Sequence, residues 1–181
     1  MSEPLEVANG GWDLVPEGEL RTIPPMGYIL PTALIQEIRA QVSRAAVVRE
    51  ALSWLGTPYH HQARVKGAGT DCGQFLAGVF EAVGAVPPVA IEDYPHDWHL
   101  HRSEERYLAN VERFAHRVDR EPRPGDIVLY RFDQAISHGA IVVDWPVIVH
   151  AYLRQGVVLD EAERNHVLRA AQVGLWSVWE D

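Results

Sequence analysis

The period of the hydrophobic pattern changes at Pro124-Gly125-Asp126, and this change restricts the fold more than any other feature of the sequence. Before it, apolar residues recur at helical spacing over residues 45–55 and again over 75–83. After it, short β-branched runs separated by turn residues occupy residues 127–130, 138–143 and 147–152. Helices followed by antiparallel strands predict an α+β fold.

Weaker patterns predict five further elements. Residues 157–159 and 175–179 have the composition of edge strands, and a short helix is expected between them over 161–169. Thr32 can cap a helix that continues to Ile38. Apolar residues at helical spacing predict a surface helix over the core, and its face consists of Leu100, Tyr107, Leu108, Val111, Phe114 and Val118.

Composition limits the classes of partner. The chain has 181 residues and a net charge of −9, with no long acidic or basic run, so we expect no nucleic-acid partner. Its first residues lack a basic region followed by an apolar core, so no signal peptide of the usual type is predicted, and no stretch is apolar enough to predict a membrane span. We therefore expect synthesis in the cytoplasm, and action elsewhere only through lysis, an injection machine or packaging in a larger particle.

The N-terminal region differs from the rest of the chain. Residues 1–31 are rich in Gly and Pro but contain scattered apolar side chains, which is typical of an extended arm that lies against the domain or a partner subunit. We divide the chain into an arm and helix over residues 1–43 and one domain over residues 44–181.

Cys72 is the only cysteine, so an internal disulfide and a cysteine-rich zinc site are excluded. Thr70 or Asp71 can cap the helix that follows it, which predicts Cys72 in the first helical turn. Backbone N–H groups at that position stabilise a thiolate, the nucleophilic form of cysteine. A small apolar core residue is the equally ordinary alternative for a free cysteine.

Two histidines are candidates for the base that a cysteine nucleophile needs. His138 opens one predicted strand, and His150 ends the next apolar run. A hairpin that turns near Asp144-Trp145-Pro146 would bring the two imidazoles side by side. If the helix of Cys72 packs across this sheet, the three side chains can serve as nucleophile, base and orienting group.

Other polar side chains favour a groove, and no metal site or cofactor is predicted. His96, His99 and His101, with Asp93 and Asp97, are more typical of a solvated rim or lid than of metal ligands. His60-His61 can line the same groove. Trp176 and Trp179 are expected to complete the core or an interface.

Five motifs in order resemble those of the NlpC/p60 family of cell-wall cysteine endopeptidases, over roughly residues 44–152. They are Trp54-Leu55-Gly56-Thr57-Pro58-Tyr59, Gly69-Thr70-Asp71-Cys72, Gly125-Asp126-Ile127-Val128, Ser137-His138-Gly139-Ala140-Ile141-Val142 and Val149-His150-Ala151. The resemblance implies a papain-like α+β fold, with the cysteine on a helix packed against an antiparallel sheet. It also implies cleavage of peptidoglycan stem peptides, commonly between D-γ-glutamyl and a diamino acid.

The resemblance assigns roles residue by residue. Cys72 is then the nucleophile, His138 the base and His150 the polar residue that orients the base. Tyr59 matches a tyrosine that reaches towards the thiol or the oxyanion, and Asp71 an acidic residue that contacts the substrate amine.

One position departs from the family. Many members have Ser-Gly after the cysteine, whereas this chain has Gly73-Gln74, so substrate binding around Gly73 is expected to differ. The Lys66-Gly67-Ala68-Gly69 loop resembles compact members from tailed phages and gene-transfer particles. This implies a virion component whose arm docks on tail-tip proteins. Two alternatives stay open: a Cys-His amidase, acyltransferase or toxin of the same fold, and a structural tail assembly protein with a vestigial site.

Overall fold

The computed structural model describes residues 42–92, 94 and 105–180. The predicted arm, the helix expected after Thr32 and the histidines at 96, 99 and 101 with Asp93 and Asp97 lie outside these residues. The elements in chain order are α1 (Arg44–Leu52), β1 (Arg64–Val65), β2 (Gly69–Thr70), α2 (Cys72–Ala82), α3 (Arg106–Glu112), β3 (His116–Val118), β4 (Ile127–Phe132), β5 (Ala135–Asp144), β6 (Val147–Tyr152), β7 (Gly156–Glu161), α4 (His166–Ala171) and β8 (Gln172–Ser177).

Within the part of the chain that the structure describes, six strands form one sheet in the order β3-β8-β4-β5-β6-β7, and every neighbouring pair is antiparallel. Strands β4 to β7 are joined in sequence by tight connections, while β8 returns from the end of the chain to lie between β3 and β4. Helix α2 packs against β5 and β6. The predicted α+β architecture is confirmed.

Four local predictions differ from the structure. Strand β8 is not an edge strand, because β3 covers its outer side. The expected surface helix is α3, which ends at Glu112, so Phe114 lies beyond it and Val118 lies in β3, while Leu100 lies outside the described residues. The loop before Cys72 contains a small hairpin, in which Arg64 pairs with Thr70. The last helix begins at His166, several residues later than expected.

The sheet has an apolar cluster on each face. Alternation along β4 separates them, since Ile127 and Leu129 belong to the cluster under α1 and α2, whereas Val128 and Tyr130 belong to the other. Leu168 of α4 is fully buried in this second cluster. Both faces of the central strands are therefore covered.

Helix α1 begins at a side-chain cap, since Ser43 Oγ accepts a hydrogen bond from the N–H of Ala46. Its buried residues are Val47 and Ala51, whereas Ala45, which the pattern placed on the apolar face, is exposed. Gly56 follows with φ +80°, a conformation that favours glycine and ends this part of the chain.

A buried carboxylate joins α1 to the sheet. Asp126 Oδ1 lies 2.8 Å from Arg44 Nη1, and Asp126 Oδ2 lies 2.6 Å from Arg120 Nη1. The N–H of Arg123 donates to Oδ2 as well, at 2.8 Å. Burial alone would raise the pKa of Asp126, but hydrogen bonds from Arg120, then Arg44, then the Arg123 backbone outweigh it and lower that pKa. This carboxylate serves the fold.

Candidate active site

Cys72 is the first residue of α2, as predicted, and Asp71 is the cap. Asp71 Oδ1 accepts a hydrogen bond of 2.9 Å from the N–H of Gln74. The apolar pattern that follows is buried from Gln74 to Phe80, which fixes the helix against the sheet. The cap and the buried face together hold the cysteine at the junction of loop and helix.

The thiol of Cys72 is half-buried and donates to the backbone carbonyl of Ser137, with Sγ and O 3.6 Å apart. Burial, followed by the negative charge of Asp71, raises the pKa of Cys72 to about 12. The backbone N–H groups of Gly73 and Cys72 act in the opposite direction but are outweighed. The expectation of a stabilised thiolate was therefore wrong for this conformation, in which Cys72 is a neutral thiol.

Tyr107 of α3 covers the thiol. Its ring lies between the backbones of two glycines, because a methyl group would stand 3.5 Å from Tyr107 Cε2 at Gly73 and 2.7 Å from Tyr107 Oη at Gly139. The hydroxyl lies close enough to lower the pKa of Cys72, yet it has no hydrogen bond of ordinary geometry to any described residue. The sequence predicted Tyr107 only as part of an apolar helix face. A polar hydroxyl on that face was the one feature that indicated another role.

The β5–β6 hairpin brings the two histidines together. His138 Nε2 and His150 Nδ1 are 2.9 Å apart, so the predicted contact exists, although the register makes the pair diagonal. Burial lowers the pKa of His138 well below its usual value, and the neighbouring His150 lowers it further. Burial also lowers the pKa of His150 to about 4, although the charge of Asp160 acts to raise it. Both imidazoles are neutral at pH 7.

Thiol and imidazole approach the same peptide group from different sides. Gly139 faces α2, since a methyl group there would lie 2.9 Å from Leu76, so the ring of His138 leaves the strand on the side of Tyr130 and His150. Among the described residues, Cys72 Sγ makes no hydrogen bond to His138. The nucleophile and base candidates are neighbours through the Ser137–His138 peptide, without an ion pair in this conformation.

Asp71 is occupied by donors of the protein itself. Besides the cap, its Oδ2 accepts from the N–H of Gln62 at 2.7 Å and from the hydroxyl of Tyr94, and His61 Nδ1 lies 3.8 Å away. The side chain is fully buried. The predicted contact with a substrate amine would need Tyr94 or Gln62 to give up its bond.

Tyr59 and the two neighbouring histidines form the outer wall of this region. Tyr59 forms an isolated bridge with Thr70, and its pKa is raised by burial, then by the charges of Cys72 and Asp71. His61 Nε2 lies 2.8 Å from the carbonyl oxygen of Tyr94, while His60 packs on Gly69. The described residues contain no group of three or more side chains suited to hold a metal ion.

A cavity of about 620 Å³ opens between α2 and α3. Its walls are mostly apolar and include Leu76, Phe80, Val89 and Phe114, while Gly73 and Tyr107 form the end nearest the thiol. Sequence reasoning did not find this cavity, because its two walls come from separate parts of the chain.

The described site contains a further carboxylate that the sequence did not single out. Asp160 of β7 places Oδ2 3.8 Å from Nε2 of His150. Its position at the end of a predicted strand carried no signal, since only the pairing of β6 with β7 brings it to His150.

Comparison with known proteins gives a family match. The model of the NlpC/P60 family matches residues 56–174, which is more than half of the chain. A search of curated proteins gives no match.

Solved structures share the fold. An NlpC/P60 family protein from Bacillus cereus is 17% identical, with a TM-score of 0.56 over 74% of this chain and 39% of that one. A Staphylococcus aureus protein described as similar to a lipoprotein of the NLP/P60 family is 15% identical, with a TM-score of 0.55 over 87% of this chain and 45% of that one. The peptidoglycan hydrolase RipB from Mycobacterium tuberculosis is 16% identical, with a TM-score of 0.50 over 84% and 70%.

At these identities the likeness concerns the fold alone, and this chain spans less than half the length of the first two proteins. The family model covers Cys72, His138 and His150. The chain belongs to the NlpC/P60 family.

Proposed function

We propose that this protein is a peptidoglycan hydrolase, a cysteine endopeptidase that cuts peptide stems with Cys72 as nucleophile and His138 as base. The observation that carries the proposal is the buried, hydrogen-bonded pair His138–His150 beside the one cysteine, which itself begins a capped helix. Membership of the NlpC/P60 family supports cell-wall hydrolysis, and the similar protein RipB is described as a peptidoglycan hydrolase.

The reaction is acyl transfer. The thiol must leave the Ser137 carbonyl and meet the imidazole of His138, which lies on the other side of the strand in this conformation. His138 takes the proton of the thiol, and the thiolate attacks the carbonyl carbon of the stem peptide. The oxyanion is received by the backbone N–H of Cys72 or Gly73, with Tyr59 beside it. His138 then protonates the leaving amine as the C–N bond breaks. Water hydrolyses the thioester, giving up its proton to His138 and regenerating the thiol.

Because the thiol is neutral in this conformation, the mechanism needs a step in which the thiolate forms. Because burial holds the pKa of Cys72 at about 12, the thiolate forms only when Tyr107 moves or the imidazole approaches. Substrate that displaces Tyr107 from between Gly73 and Gly139 would meet the first condition, because it relieves the burial that raises the thiol pKa, the larger effect, although it removes the hydroxyl that lowers that pKa. We expect this exchange to precede attack.

The proposal extends to the bond that is cut and to the particle in which the protein acts. Cleavage between D-γ-glutamyl and a diamino acid requires recognition of a free amine, which the Asp71 carboxylate can bind once Tyr94 or Gln62 gives up its hydrogen bond. The glycine-rich loop before Cys72 favours a phage tail or tail-tip component that opens the wall during DNA entry, with tail-tip proteins as partners of the N-terminal arm. No described helix is long and apolar enough to cross a membrane.

A second candidate uses the same chemistry on a different substrate. The apolar cavity that ends at Gly73 and Tyr107 favours an amidase or acyltransferase whose substrate carries an apolar group. Stem peptides offer little apolar surface to fill it.

Digestion of purified sacculi tests the proposal. Wild-type protein is expected to release soluble muropeptides, and Cys72→Ala or His138→Ala to reduce release about a thousandfold or more. His166→Ala, on the exposed side of α4, is the matched control and is expected to retain activity. Mass spectra of the products identify the bond. Release that is undiminished in Cys72→Ala would refute the proposal, while inert sacculi with turnover of an acyl amide or ester would favour the second candidate.

A further inference from the structure

The second nitrogen of His150 is buried beside a carboxylate. Nε2 of His150 has no hydrogen-bond partner among the described residues, and Oδ2 of Asp160 lies 3.8 Å from it. Strand β7 carries Asp160 and pairs with β6 in full register, so this approach is fixed by the sheet. A buried donor beside an anion is a polarised arrangement rather than a neutral core contact.

The nitrogen of His138 that carries the proton depends on the tautomer of His150, and therefore on the surroundings of His150 Nε2. For His138 to act as a base its Nδ1 must be unprotonated, so its proton must lie on Nε2, where it is donated to Nδ1 of His150. His150 Nδ1 is then an acceptor, and the proton of the neutral His150 ring must be on Nε2, facing Asp160. The opposite tautomer of His150 would make His138 Nε2 an acceptor and place its proton on the wrong nitrogen.

We propose that Asp160 is a positioning residue that fixes His150 as the Nε2–H tautomer and thereby keeps Nδ1 of His138 free as the base. The inference rests on the proposed function of His138. Asp160 touches neither the thiol nor the substrate and acts through His150.

The carboxylate is itself held in place. Asp160 Oδ2 accepts from Asn165 Nδ2 at 2.7 Å, and Oδ1 accepts from the N–H of Glu161 at 2.7 Å. Asn165 is the cap of α4, where its Oδ1 accepts from the N–H of Val167 and of Leu168, so its amide can present only NH₂ to Asp160. Helix α4 thus orients the carboxylate towards β6.

The side chains around His150 determine its electrostatic surroundings. The groups that face it are His138 from β5, Tyr152 stacked on its ring with centroids 5.1 Å apart, and Asp160 from β7. Tyr130 of β4 lies beside His138, and its pKa is raised by burial and then by the charge of Asp160, so it stays neutral. Asp160 is the one carboxylate of this set.

Asp160→Asn distinguishes this role from packing. The amide keeps the shape of the carboxylate but brings a donor, which must face His150, Asn165 or the Glu161 N–H. A donor towards His150 favours a proton on Nδ1, the opposite tautomer. Asp144→Asn is the matched control, because it removes an equal charge at an exposed position on β5. Asp160→Glu keeps the charge.

The experiment is ¹⁵N NMR of the histidine rings in the full chain, with hydrolysis of sacculi measured on the same samples. We expect the Nε2–H tautomer of His150 in the wild type and in Asp144→Asn, and a shift towards Nδ1–H in Asp160→Asn. We also expect kcat to fall about tenfold with KM nearly unchanged, and Asp160→Glu to recover part of it. An unchanged tautomer in a folded Asp160→Asn protein would overturn the proposal. The ring spectra need no substrate, so failure of the wild type to digest sacculi would refute the proposed function and leave this result standing.

Discussion

Two polar clusters are buried in the same sheet, and they are satisfied to different degrees. Around Asp126, at the start of β4, two arginines and a backbone N–H supply donors to both carboxylate oxygens. Around His138 and His150, on β5 and β6, one hydrogen bond joins the rings, while His150 Nε2 and the hydroxyl of Tyr130 have no hydrogen-bond partner among the described residues.

The difference separates what the fold needs from what the chemistry needs. The buried carboxylate of Asp126 has donors on both oxygens, because an unpaired buried charge is costly. The histidine cluster instead keeps neutral, titratable rings with spare hydrogen-bonding capacity, which a general base requires and a structural cluster does not. We therefore expect changes in the first cluster to alter stability, and changes in the second to alter chemistry and its pH dependence.

The largest effect is expected at Asp126. Asp126→Ala leaves Arg44 and Arg120 without their buried partner, and the free energy of unfolding should fall by about 3–5 kcal/mol. Urea unfolding followed by circular dichroism measures this, with the exposed Asp144→Ala as control, which should change stability by less than about 0.5 kcal/mol. Equal effects of the two substitutions would mean that the cluster does not hold the fold.

Lowering the pH should decrease the free energy of unfolding through the histidine cluster. The pKa of His150 is about 4 in the folded state against 6.5 in the unfolded chain, so the unfolded state binds the proton more readily between these values. Stability is then greatest above pH 6.5 and falls by roughly 3 kcal/mol as the pH drops to about 4. Unfolding free energies at pH 7, 5.5 and 4 measure this slope.

His150→Gln is the variant that isolates the slope. Glutamine does not titrate, so the loss of stability between pH 7 and 4 should be clearly smaller than in the wild type, whatever its stability at pH 7. Asp126 does not contribute in this window, because its lowered pKa means that its stabilisation is lost only below the unfolded value of 3.8. A slope that is identical in the variant would contradict a neutral buried His150.

Sequence reasoning found the parts of the site that local signals specify. A cap followed by an apolar helix placed Cys72, and two β-branched runs around a turn placed His138 beside His150. These depend on neighbours within a few residues.

Tyr107 and Asp160 could not be found in the same way. Tyr107 reaches the thiol only because α3 packs near both α2 and β5, and Asp160 reaches His150 only through the β6–β7 register. The same reason accounts for β8, whose place between β3 and β4 is set by pairing across more than forty residues of chain. The high pKa of Cys72 also follows largely from packing, since the helix start favours the thiolate, whereas burial by distant side chains, and then the charge of Asp71, reverse this preference.

The smallest effect is expected from two matched substitutions that each remove one tyrosine hydroxyl. They test whether a buried hydroxyl without a hydrogen-bond partner affects the thiol. Tyr107 and Tyr130 both have buried hydroxyls without a hydrogen-bond partner among the described residues, so each Tyr→Phe substitution should change the free energy of unfolding by no more than about 1 kcal/mol. Only Tyr107 lies beside Cys72, where its hydroxyl lowers the thiol pKa. Tyr107→Phe should therefore slow alkylation of Cys72 by iodoacetamide at pH 8, whereas Tyr130→Phe should leave the rate unchanged. Equal alkylation rates in both variants would show that the Tyr107 hydroxyl does not act on the thiol and that Tyr107 only lines the cavity.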